Sequence, residues 1–204
     1  MKTDIIFVSN TGDGWDDVFS ETEKYAQYKQ LNNKEKIHIR LLAEELLSMV
    51  KSIAGQFHAN VWIDDDQYAY YIHLKALVNM DGDIRSTFID ASTSGKNAAA
   101  KGIMGKLKDI FQTYMAGMKF SGSAPLTDYY GGFSGYDPYE MEAFNSYNMW
   151  SLSNYRQSIQ GEKDDSDTQK WDELEKSIIA NIADEITVGI NGDYVEMVIT
   201  KENR

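Results

Sequence analysis

No cysteine occurs among the 204 residues of this chain. Disulfides, thiolate metal sites and cysteine nucleophiles are therefore excluded. Positive charge is also scarce, with 20 Lys and Arg against 32 Asp and Glu and a net charge of −12. That deficit argues against a nucleic-acid binder held by phosphate contacts and against attachment to an anionic membrane surface. Apolar runs are short, and none approaches membrane-spanning length. The opening Met1-Lys2-Thr3-Asp4 leads into a brief apolar patch that ends at Asn10, unlike a secretion signal. A cytoplasmic location of bacterial type is the expectation. The three histidines, His38, His58 and His73, lack metal-ligand spacing. No G-x-S-x-G elbow and no Ser/His/Asp arrangement is present.

What is there is the composition of an ordinary globular chain, 42% hydrophobic and 25% charged. It is long enough to bury a real core as a single domain over 1–204. Ile5 to Val8 reads as a strand, stopped by the turn-rich Ser9-Asn10-Thr11-Gly12-Asp13-Gly14. From Trp15, apolar residues recur at helical spacing to about Leu31. Lys34 to Ala54 carries the clearest helical stripe, through Ile37, Leu41, Leu42, Leu46, Val50 and Ile53, with Gly55 as its stop.

Phe57 to Ile63 and Tyr68 to Met80 read as an antiparallel strand pair across the acidic turn Asp64 to Gln67. Asp81-Gly82-Asp83 reads as a turn, Ser86 to Ile89 as a short strand, and the segment carrying Ile103 to Met118 as a helix. Residues 120–160 are rich in glycine and aromatics and read as an irregular insertion packed by its own rings. A partner or ligand surface is the alternative there, because Tyr and Trp are favoured at interfaces. A helix from Trp171 to Ile182 and a hairpin around Asn191-Gly192 complete the chain.

Three stretches could carry chemistry. Glu44 and Ser48 lie four apart and share a helix face. A carboxylate and a hydroxyl one turn apart could hold a magnesium ion against phosphates, or the glutamate could orient a water. Plain surface placement is the alternative. Gly95, Lys96, Lys101, Gly102, Gly105 and Lys106 gather glycines and cations at an expected helix start, where backbone amides bind anions. Close helix packing is the alternative reading. That stretch is neither a Walker loop nor a dinucleotide fingerprint. Asp81 is the candidate acceptor for an adenine amino group.

The order of these pieces resembles the GHKL (histidine-kinase-like ATPase) fold, nearest the small anti-sigma-factor kinases. In that family a helical Glu precedes an Asn by four residues; here Glu44 matches and Ser48 replaces the Asn. The family's Asp-x-Gly-x-Gly is met in part by Asp81-Gly82-Asp83. Its glycine-rich loop is matched loosely by Gly102-Ile103-Met104-Gly105. The resemblance spans about Ile5 to Met118 plus the final hairpin. It implies a two-layer α/β sandwich, with a mixed, mostly antiparallel sheet and helices on one face. It further implies an ATP site in which Gly95, Lys96, Gly102, Gly105 and Lys106 take the phosphates and Asp81 with Gly82 takes the adenine. Glu44 would be the catalytic residue and Ser48 the metal ligand. Ser48 removes the best magnesium ligand, so the resemblance points to a degenerate ATP-binding domain acting as a regulatory binding protein. A nucleotide-free interaction module with a protein partner is the rival, and an active ATPase or serine kinase ranks last.

Overall fold

The computed structural model describes residues 1–54, 56–78, 148–161, 177–191 and 194–203. In chain order they form β1 (Ile6–Ser9), α1 (Trp15–Tyr28), α2 (Asn33–Ala54), β2 (Phe57–Asp65) and β3 (Ala69–Val78). There follow β4 (Asn148–Ser151), α3 (Leu152–Gly161), α4 (Ile178–Ile182), β5 (Glu185–Asn191) and β6 (Tyr194–Glu202). The strands make one sheet in the order β1-β2-β3-β6-β5-β4. A mixed sheet was the expectation; among the described residues every pairing is antiparallel.

Local chemistry sets the helix boundaries. α1 begins after Gly14, which has φ 76. A Cβ there would lie 2.0 Å from the Phe7 carbonyl oxygen, so the chain can pass β1 only as glycine. α1 ends three residues before Leu31. Gln30 takes the left-handed φ of 54, while Leu31 N–H donates to Ala26 O at 2.9 Å and Gln30 N–H to Gln27 O at 3.1 Å. That is the Schellman arrangement, with Gln at the position glycine usually fills. α2 opens on a capping box. Asn32 Oδ1 accepts from the N–H groups of Lys34 and Glu35 at 2.9 and 3.0 Å, and Glu35 Oε2 accepts from Asn32 N–H at 2.9 Å. These contacts satisfy helix donors that would otherwise lack partners.

Period-two burial gives the sheet two unlike faces. Val61, Leu74, Met197 and Val188 lie side by side on neighbouring strands and are all buried. Against this face lie the helices: α1 on β1 and β2, α2 across β2, β3 and β6, and α3 on β4 and β5. Leu42, Leu46, Leu47 and Val50 of α2 are fully buried. Each contributes about 1.5–3 kcal/mol through burial. The other face carries His58, Asn60, Trp62 and Asp64 of β2 and Tyr71, His73, Lys75 and Leu77 of β3.

Two sequence expectations shift. β2 runs two residues past Ile63. The stretch 148–161, read as part of an irregular insertion, instead holds β4 and α3, and its Trp150, Leu152 and Tyr155 join the main core. The expected strand at 86–89, the helix through 103–118 and residues 171–176 of the last helix lie outside the described residues.

Candidate functional site

α2 carries both Glu44 and Ser48 in regular helix, so the expected one-turn spacing is present. Glu44, however, already has a cation. Arg40 Nε lies 3.3 Å from Glu44 Oε1, and Arg40 Nη1 lies 2.9 Å from Glu23 Oε1 of α1. The guanidinium also stands 5.2 Å from the centre of the Phe19 ring. Glu44 thus faces the α1 side of α2 and takes part in clamping the two helices together. This exposed ion pair competes with any other cation for the Glu44 carboxylate. Among the described residues no group of three His, Asp or Glu side chains could hold a metal ion.

The adjacent Glu45 has the more telling environment. A helix turns about 100° per residue, so Glu45 points away from the α1 seam that Glu44 serves. It is half-buried, and burial pushes its carboxyl above the usual range, with the charge of Glu44 adding to the rise. Such a carboxylate is poised as a proton acceptor or hydrogen-bond partner. The four-residue spacing drew attention to Glu44. Helix phase, measured from the buried stripe Leu42, Leu46 and Val50, is the sequence signal that separates the two.

Chain connectivity relates α2 to the expected adenine box. Two residues separate Ala54 at the end of α2 from Phe57, and Phe57 is paired with Val78, the last residue of β3. The C-terminal turns of α2 and the strand end that leads toward Asp81 therefore lie at one end of the sheet. Asp81, Gly82, Gly95, Lys96, Lys101, Gly102, Gly105 and Lys106 themselves lie outside the described residues.

The acidic turn resolves into three structural roles. Asp66 Oδ1 accepts from the N–H groups of Tyr68 and Ala69 at 2.7 and 2.9 Å, which holds the β2–β3 turn and lowers the Asp66 pKa. Asp65, with its side chain 4% exposed, receives the Met1 ammonium at 2.8 Å, Lys29 Nζ at 2.7 Å and the Tyr25 hydroxyl at 2.7 Å. Burial alone would raise its pKa; the bonds from Lys29, the terminal ammonium and Tyr25 together outweigh burial and leave it lowered. Asp64 Oδ1 lies 3.1 Å from His73 Nε2. His73 in turn stacks on Trp62 at 4.8 Å with ring planes 3° apart, and Lys2 Nζ sits 5.0 Å from the Trp62 ring centre. His73 is thus held within a cross-strand aromatic row, in keeping with a structural role.

The loop Ser9–Gly14 also has an internal purpose. Asp13 Oδ2 accepts from Thr11 Oγ1 at 2.6 Å and from Ser9 Oγ at 2.9 Å, and Trp15 Nε1 donates to Ser9 O at 3.0 Å. With Asp13, Asp16 and Asp17 around it, this helix start repels anions.

No protein-family model matches the chain, and comparison with curated proteins and with solved structures finds no match either. No helix among the described residues is long and apolar enough to cross a membrane.

Proposed function

We propose that this chain is a degenerate histidine-kinase-like nucleotide-binding domain that binds ATP and works as a regulatory binding protein without turnover. The observation that carries the reading is the shared sheet end: the last turns of α2 and the strand leading to Asp81-Gly82 meet there. A site assembled at that end would have Asp81 on the adenine and the glycine- and lysine-bearing stretch Gly95 to Lys106 on the phosphates, with Glu44 and Glu45 nearly three turns back from the end of α2. Element order up to β3 supports the same reading, a strand, two helices and an antiparallel pair, as does the terminal hairpin that follows β4, α3 and α4. The Arg40–Glu44 ion pair and the Ser48 substitution favour binding over hydrolysis, because Arg40 competes for the carboxylate and the expected metal ligand is replaced. Glu45 is the α2 carboxylate free of that ion pair and the better candidate to touch a bound nucleotide.

Thermal unfolding with ATP, with and without magnesium and against GTP, tests this. At about 5 mM ATP and a Kd of about 0.1 mM, linkage adds about 2 kcal/mol of stability. That raises the melting temperature of a chain of this size by roughly 5 °C. A shift with ATP in both metal conditions and a smaller one with GTP is expected; no shift with ATP contradicts the reading. A nucleotide-free interaction module of the same architecture is the second reading. The Arg40–Glu44 pairing also favours it, and it requires that no nucleotide shift the transition.

A further inference from the structure

We draw no further inference here: the strongest candidate, the sheet face turned away from the described helices, on which Phe7, Leu77 and Tyr194 are exposed, carries nothing because nothing among the described residues shows what covers it.

Discussion

At the scale of single residues, backbone conformation and buried charge decide most. Gly12 and Gly14 both have positive φ, 98 and 76, but only Gly14 is crowded: a Cβ would meet nothing within 4 Å at Gly12 and the Phe7 carbonyl at 2.0 Å at Gly14. Gly12→Ala should therefore cost about 1 kcal/mol, the left-handed penalty alone. Gly14→Ala should cost at least about 3 kcal/mol, because β1 and α1 must separate. Urea unfolding of the two variants checks the difference, and equal losses would contradict the described path of the loop.

Asp65 supplies a pH dependence. Its folded-state pKa is depressed, so its contribution is complete above the ordinary carboxylate pKa of about 4 and is lost as pH falls below that value. Asp65→Asn should lower stability by about 2–3 kcal/mol at pH 7, the range for hydrogen bonds to a charged group. The gap to wild type should narrow at pH 3, in denaturant midpoints measured at the two values. None of this network was legible in the sequence. The run Asp64-Asp65-Asp66 reads as a turn, and only tertiary structure brings Tyr25 of α1 and Lys29, just past its end, to its middle member. Glu44 is the same lesson at the candidate site: its helix and its spacing to Ser48 could be read, whereas Arg40 turning to join it with Glu23 could not.

Secondary-structure elements divide by how their signal is written. α2 was legible from one end to the other, since an amphipathic stripe over 22 residues has little competition. The β5–β6 hairpin was legible from its alternation. β4 and α3 were not, because the aromatic and glycine density before them drowned a four-residue strand; Trp150 looked like one more ring of an insertion, yet it packs in the main core. The early end of α1 was missed as well, since Gln is an unusual residue for a left-handed cap. That position yields a prediction. Relieving the left-handed strain gains roughly 1–2 kcal/mol, and the added freedom of glycine in the unfolded chain costs about 0.4–1 kcal/mol. Gln30→Gly should therefore stabilise by about 0.5 kcal/mol net in chemical denaturation; a loss of stability would show that the cap is not as described. Within α2, Leu46→Ala should cost about 2–5 kcal/mol by the same measurement, since the side chain is fully buried between helix and sheet.

On the scale of the whole molecule, the described residues form an α/β fold with a six-stranded antiparallel sheet, and the described helices pack on one side of it. Composition foresaw a folded, acidic chain without thiol chemistry, and the element order foresaw the layers. The proposed function depends on segments distant in sequence meeting at one sheet end, which composition does not encode and local spacing only suggests. The proposed nucleotide site joins α2 to the stretch beyond β3. Isothermal titration calorimetry with ATP and magnesium, on wild type and Asp81→Ala, addresses the nucleotide site most directly. Saturable binding of one ATP per chain is expected for wild type, with affinity at least about tenfold weaker in Asp81→Ala, for loss of one base-reading hydrogen bond. No binding heat at millimolar ATP, or an Asp81→Ala variant that binds as wild type does, would contradict the account.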